Sequence, residues 1–346
     1  MKILILYYEI ANYNIPCFKE LSRKNELFLV KYDVNQIEAP FQFDFNFPIT
    51  IYDFKEFNFM KLNNLCNFIN PDLILCAGWI NKDYLRLCVK NKNALKVLGF
   101  DTPLESTLMQ NLKSFLFKMI YKNSFNYAFV PGINQSLLAI KMGFNKNEII
   151  DGAYSCDHNY FKNLGFVANK LKKINFPKRF LFVGRYIKRK GLLDLWESFI
   201  QLQEESPNDW ELWCVGKGPL YKDRIIHPKI KHLGFLQPHN LSSIVSATSV
   251  FVLPSHYEPW GVVVHEFASA GYPLILSDKV SSGNSFLKND VNGFRFKSRD
   301  IIRLKEILKK TILTKDNELL KMGQISIKLA SKFTPKIWAK KLTSLK

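Results

Sequence analysis

The sequence predicts an α/β protein made of two doubly wound units in tandem, and three observations carry that expectation. The chain has 346 residues, too many for one ordinary core and right for two domains. Along the first half, short apolar runs alternate with amphipathic stretches, the pattern of a parallel sheet covered on both faces. From residue 179 onward the same alternation starts again.

In the first half the apolar runs at residues 3–7, 27–32, 73–76, 96–98 and 127–130 read as strands, with helical stretches such as 55–67 and 81–90 between them. Residues 165–177 are polar, Lys-rich and end in Pro, which reads as a linker. Then follow a strand at 179–183, a helix at 191–203 and strands at 211–215 and 231–233. Next are a helix at 241–247, a strand at 250–253, a helix at 262–270 and a strand at 273–276. The tail from 301 to 346 is helical, with Thr334 as an N-cap and Pro335 at the first helical position. The expected division is 1–168, 169–328 and a last helix at 329–346. In such open sheets a ligand binds beyond the carboxyl ends of the strands.

Hydrophobic residues make up 47% of the chain, enough for sizeable cores. The six cysteines form no CxxC pair and no metal-ligand spacing, which fits a reduced compartment better than a disulfide scaffold. The opening MKILILYYEI reads as a first strand and not a signal peptide. No apolar run reaches the roughly 18 residues a membrane span needs. The net charge is +19, and residues 1–170 carry 19 Lys+Arg against 15 Asp+Glu while residues 171–346 carry 30 against 15. Anionic partners follow from this excess: phosphorylated ligands, anionic headgroups or nucleic acid. A solvated basic face is the plain alternative.

Residues 254–278, PSHYEPWGVVVHEFASAGYPLILSD, are the most informative stretch. A strand runs into a loop carrying Glu258. The chain turns at Pro259, Trp260 and Gly261, and a helix then begins at Val262 and Val263 with a second carboxylate, Glu266. The first N–H groups of that helix lack intrahelical partners and form an anion site. Two acids beside an anion site suit a ligand with both phosphate and hydroxyl groups, such as a nucleotide sugar. No third Asp or His is suitably spaced for a metal, and His256 and His265 read as satisfied surface or core histidines. Two further turns follow strands. In FVGRYIKRKG (182–191), Gly184 allows close backbone approach or an unusual φ, Arg185 can fork two phosphate oxygens, and Lys190 adds a compact charge. In Gly216-Lys217-Gly218-Pro219 the paired glycines could wrap a base or ribose. Each turn has a plain reading as well, the first as a surface basic turn and the second as a strand-to-helix connection.

Together these segments resemble the donor domain of retaining glycosyltransferases of family 4, which have the GT-B fold. That family pairs a G-R-x-x-x-x-K-G-like turn, a G-x-G-P-like turn and an E-x-(F/W)-G…E-A-x-A-x-G-x-P block, here GRYIKRKG, GKGP and EPWGVVVHEFASAGYP. HLGFL at 232–236 and the stretch 241–255 ending VFVLPS are similar too. VPGINQSLLAIKMGFNKNEI, followed by CDHNYF at 156–161, resembles the close of the acceptor domain. The resemblance implies two Rossmann-like domains facing across a cleft, with the last helix crossing back to the first. By it, Arg185 and Lys190 would neutralise the donor diphosphate, Glu266 would bind the ribose, and Glu258 would hold the hydroxyls of the transferred sugar. The backbone at 261–263 would meet the phosphates, and 216–219 with Phe235 and Leu236 would line the base. The donor would be a UDP-, GDP- or ADP-sugar, with no metal or other cofactor because the two basic side chains replace one. The implied acceptors are glycans, lipid-linked sugars or lipopolysaccharide of the cell envelope. The implied place is the cytoplasm or the inner face of its membrane.

Two departures concern the first half. After the first strand the chain has Glu9-Ile-Ala-Asn-Tyr-Asn where many family members have a Gly-rich loop, and all six His lie at 158 or later. Asp101, just past a strand, is the best substitute for a reaction-centre His, and an N-cap for the following helix is the other reading. The stretch 111–127, with Lys113, Lys118 and Lys122, is aromatic and amphipathic. It suits an anionic membrane surface or packing on the sheet. A phosphorylase or epimerase on the same fold, a nucleic-acid binder and a non-catalytic partner are the competing classes. Nucleic acid is disfavoured because the lysines are dispersed instead of interleaved with aromatics on one platform.

Overall fold

The protein is described from a computed structural model covering residues 1–32 and 42–345. It forms two compact units. The first holds the described part of Met1–Ser155 together with the chain from Pro335 onward, and the second spans Cys156–Thr334.

In the first unit β1 (Lys2–Leu6), α1 (Asn14–Ser22), β2 (Glu26–Lys31), β3 (Thr50–Asp53), α2 (Phe59–Ile69) and β4 (Leu73–Ala77) come first. Next are α3 (Lys82–Lys90), β5 (Leu95–Gly99), α4 (Leu108–Ile120), β6 (Tyr127–Val130), α5 (Ile133–Lys141) and β7 (Ile149–Asp151). The strands form one parallel sheet in the order β3-β2-β1-β4-β5-β6-β7. Ile3 and Ile5 of β1 join the core on one face and Leu4 and Leu6 the core on the other. This two-sided burial is why β1 reads as an unbroken apolar run.

The second unit opens with α6 (His158–Ile174), β8 (Arg179–Val183), α7 (Leu192–Glu205), β9 (Glu211–Val215), β10 (Ile230–His232) and α8 (Ser242–Ala247). It continues with β11 (Val250–Leu253), α9 (Val262–Ser269), β12 (Leu274–Ser277), α10 (Gly283–Phe286), β13 (Gly293–Phe296), α11 (Ile301–Leu313) and α12 (Asp316–Ala330). Its sheet is parallel, in the order β10-β9-β8-β11-β12-β13. The last helix, α13 (Pro335–Thr343), starts at the expected Pro and belongs to the first unit. There Trp338 is buried, its indole N–H donates to the Ala153 carbonyl at 2.7 Å, and its ring lies 5.8 Å from Phe129.

One element corrects the sequence reading. Residues 165–177 are mostly helix, the end of α6, and not a linker. The buried face of α6 is Phe161, Gly165, Ala168, Asn169 and Lys172, so small and polar residues hide the helical period. Gly165 lets the helix press on α9, since a Cβ there would lie 2.2 Å from the Ala270 carbonyl oxygen. Accordingly the units divide after Ser155 and after Thr334, not at 168 and 328. Three short strands, β3, β7 and β13, escape the apolar-run reading. The first two are largely solvent-facing at the ends of their sheet, and β13 carries Gly293 and Arg295.

Candidate functional site

Apart from Glu266, which lies within α9, every candidate residue in the second unit lies in a turn that follows the carboxyl end of a strand. Gly184, Arg185 and Lys190 follow β8, residues 216–219 follow β9, Phe235 and Leu236 follow β10, and residues 258–263 follow β11. The strands are parallel, so these turns share one edge of the sheet. β8 and β11 are neighbours although β9 and β10 intervene in sequence, so strand order reverses between them. In doubly wound sheets that reversal opens the crevice where ligands bind.

The β8 and β11 turns are built as one piece. The ammonium of Lys190 donates to Oε2 of Glu258, with the two side chains 12% and 10% exposed. The Ser255 hydroxyl donates to the same oxygen at 3.3 Å. Behind this pair the backbone N–H of His256 donates to the Arg189 carbonyl at 2.8 Å. Gly191, at φ 68°, sits so close to the β11 exit that a Cβ would lie 2.2 Å from the Pro254 carbonyl oxygen. His256 pairs through Nε2 with Asp194 of α7 at 2.7 Å, tying the loop to that helix. Ser255 and Asp194 are positioning residues that sequence reading missed, because nothing in their local pattern separates them from ordinary loop and helix polar residues. Arg185 is exposed on the same turn.

The helix after Glu258 begins where the sequence places it. Gly261 is its N-cap in the left-handed region (φ 86°, ψ 69°), and among the described residues no side chain caps the first N–H groups. A Cβ at Gly261 would lie 2.8 Å from Cγ of Glu258, so the glycine admits the carboxylate beside the helix start. Ser282 braces the turn by donating from its hydroxyl to the Gly261 carbonyl at 3.2 Å. Trp260 is buried edge-on against Phe286, and Val262 is buried, so what these positions offer a ligand is backbone. Pro259 and Val263 are half-buried. Glu266 is also half-buried one turn into α9, and burial pushes its carboxyl up to about 7.

The second turn packs on the first. Tyr186 donates from its backbone to the Lys217 carbonyl at 2.9 Å, and Leu220 donates back to Tyr186 at 2.9 Å. A Cβ at Gly216 (φ 138°) would lie 1.9 Å from the Gly184 carbonyl oxygen, and one at Gly218 (φ 152°) would lie 2.8 Å from that of Tyr186. The paired glycines are therefore needed for backbone contact between the turns. Gly184 has no unusual φ, in contrast to one of the two sequence readings. A Cβ on it would press Phe182 at 3.1 Å and come within 3.7 Å of the Lys190 stem. Lys217 and Pro219 are exposed, while Phe235 and Leu236 are half-buried beyond Gly234, whose backbone bonds to Gly216 at 2.7 Å.

Asp101 belongs to the first unit, two residues past the end of β5. It does not cap α4: that helix begins at Leu108, and Thr107 accepts the Gln110 N–H at 3.2 Å. The Asp101 charge helps raise the phenols of buried Tyr7 and half-buried Tyr13 and Tyr154, with desolvation the larger cause in each. His265 is a core histidine, as read from sequence. Its Nδ1 accepts the Cys156 N–H at 3.1 Å, its Nε2 donates to Ala330, and burial pulls it down to about 3. Among the described residues no three His, Cys, Asp or Glu side chains converge in a way that could hold a metal ion.

Residues 167–328 match the family model described as glycosyl transferases group 1. An uncharacterized glycosyltransferase of Methanocaldococcus jannaschii is 31% identical over 139 residues, 35% of each chain. The glycogen synthase of Mycobacterium tuberculosis is 32% identical over 136 residues, 37% of this chain and 32% of that one. The chain thus spans about a third of the length of these curated relatives. Solved structures match the whole fold. HepE of Anabaena, crystallised with UDP and glucose, has a TM-score of 0.74 at 14% identity, covering 99% of this chain and 98% of that one. The Escherichia coli trehalose-6-phosphate protein bound with UDP-2-fluoro glucose has a TM-score of 0.75 at 10% identity, with 99% and 98% covered. The fold is GT-B, and the sequence likeness to group 1 glycosyl transferases is confined to residues 167–328.

Proposed function

We propose that the group 1 glycosyl transferase sequence of residues 167–328 serves here as the donor half of a retaining, metal-independent glycosyltransferase. The observation that carries this reading is the meeting of Lys190 and Glu258 beside the uncapped start of α9, at the reversal of the β8–β13 sheet. On this reading the turns along that sheet edge offer two cations, the first N–H groups of a helix and two carboxylates. A nucleotide sugar needs all three kinds of group. The solved GT-B neighbours named with UDP, glucose or UDP-2-fluoro glucose support a nucleotide-sugar donor.

In this reading Arg185, Lys190 and the N–H groups at 261–263 hold the diphosphate. The unshared Oε1 of Glu258 accepts from hydroxyls of the transferred sugar, and Glu266 accepts from the ribose. Gly216 to Pro219 with Phe235 and Leu236 border the base. The bond between the sugar's anomeric carbon and the diphosphate breaks as the acceptor oxygen bonds to the same face, and the acceptor's proton passes to the departing phosphate. Leaving-group charge is then the main barrier, and fixed cations in a partly dry site lower it best. Lys190 retains two donor hydrogens for phosphate while still bonded to Glu258.

The acceptor in this reading is a glycan or lipid-linked sugar presented at an anionic membrane. Only Gln110, Ser114 and Phe117 of α4 are buried, while Leu108, Met109, Leu112, Phe115, Leu116, Met119 and Ile120 are exposed. Residues 106–147 contain Lys113, Lys118, Lys122, Lys141 and Lys146 and no Asp or Glu. An apolar helix face within a basic stretch suits an anionic interface. Among the described residues no helix is long and apolar enough to cross a membrane. The test of the reaction is a thermal-shift and donor-hydrolysis screen over UDP-, GDP- and ADP-sugars. A hit that disappears in Glu266→Ala supports the reading, and no binding of any nucleotide sugar at millimolar concentration refutes it.

A further inference from the structure

A cavity of about 890 Å³ opens between α6 and α12 and shares no lining residue with the turns described above. Two buried polar groups in its wall have no hydrogen-bond partner among the described residues: Nζ of Lys172 and Oδ1 of Asn169, on residues 3% and 7% exposed. The Lys172 ammonium lies 4.0 Å over the ring of Tyr272. That ring is fixed by its hydroxyl, which pairs with Thr248 at 2.9 Å and donates to the Val245 carbonyl at 2.9 Å. A cation facing only a π system, next to an acceptor with no donor, is a costly arrangement for a closed core. The rim adds Lys162, Lys170, Lys173 and Lys321 against Asp316, so the cavity is strongly cationic. Phe166, Ile174 and Leu320 give it an apolar ledge.

We propose that this cavity binds a phosphate ester carrying a free hydroxyl, with a phosphate oxygen on Lys172 and the hydroxyl donating to Oδ1 of Asn169. The lysine's flexible stem lets the ammonium swing from the ring to the anion. Burial alone draws the Lys172 ammonium down to about 7, and a bound anion would restore its charge. The same chemistry occurs in a soluble phosphorylated polyol and in the headgroup of an anionic glycerolipid, and the ledge accommodates either.

Titration calorimetry with glycerol 3-phosphate, and with monomeric dihexanoyl phosphatidylglycerol, tests the site, using glycerol as a control. Binding of the first alone marks a free phosphate ester, and binding of the second marks a lipid headgroup. In both cases Lys172→Met, which keeps the volume, should weaken binding by roughly tenfold or more and leave nucleotide diphosphate binding unchanged. Lys162→Glu with Lys321→Glu, at exposed positions that do not threaten folding, should weaken it by roughly threefold or more. If neither probe binds at millimolar concentration, or if the variants bind as the wild type does, the proposal is overturned.

Discussion

Lys190 and Glu258, 68 residues apart in sequence, are bonded ammonium to carboxylate at the point where the β8 and β11 turns meet. Both side chains are close to fully buried. Removing one partner of such a pair strands a charge, at about 3–5 kcal/mol for a fully buried one. Lys190→Ala is therefore expected to lower stability measurably in urea and to cut donor turnover by roughly 10²–10³. The double variant Lys190→Met with Glu258→Leu should regain most of the stability and none of the turnover. Turnover returning with stability would make the pair purely structural.

Gly261→Ala should damage both fold and site. The left-handed backbone there strains any side chain, at about 1–3 kcal/mol, and the new Cβ would push on Glu258 from 2.8 Å. Gly234→Ala is the control: its φ is also positive (71°), but its Cβ would meet only the ends of Lys217 and Tyr221. Similar losses of melting temperature are expected for the two. A roughly tenfold loss of donor turnover is expected for Gly261→Ala alone.

The Glu266 carboxyl, raised to about 7 against an ordinary value of 4.5, gives a pH signature. As pH rises the unfolded chain releases this proton first. The stability that protonated Glu266 contributes is thus present below 4.5 and lost on the way to 7. Relative to the wild type, Glu266→Gln should gain about 1–3 kcal/mol across that window, measured by unfolding at several pH values. The neighbouring His265 is shifted the opposite way, but it is the same in both proteins and cancels in the difference. Nucleotide-sugar affinity should rise with pH to about 7 in the wild type and stay level in the variant, because an ionised carboxylate is the better acceptor for ribose hydroxyls.

At α4, Leu112→Glu and Phe115→Glu change residues 56% and 59% exposed, so folding should be unaffected. Flotation with phosphatidylglycerol vesicles at low salt should fall by roughly tenfold or more. A wild-type protein that does not float would remove the membrane from the reading while leaving the donor chemistry intact.

Much of this was legible in the sequence for physical reasons. β9 and β11 are found at their expected bounds because central parallel strands are apolar on both faces. The α9 turn was legible because only Gly fits φ 86° beside Glu258. The part of α6 from residue 165 on was not, since beyond Phe161 its buried residues are Gly165, Ala168, Asn169 and Lys172, with no large apolar side chain among them. The Lys190–Glu258 bond was likewise out of reach, because it depends on β8 lying next to β11 and sequence order separates them. Asp101 shows the remaining gap: its sequence neighbours suggested a cap, and the structure gives that place to Thr107.

The most direct measurement is titration of the best-binding nucleoside diphosphate, and of its parent nucleoside, into the wild type, Arg185→Ala and Lys190→Ala. If the two cations hold a diphosphate, the wild type should prefer the diphosphate by roughly a hundredfold or more. Each variant should erase much of that preference while binding the nucleoside as before. Equal preference in all three proteins would contradict the donor-site assignment.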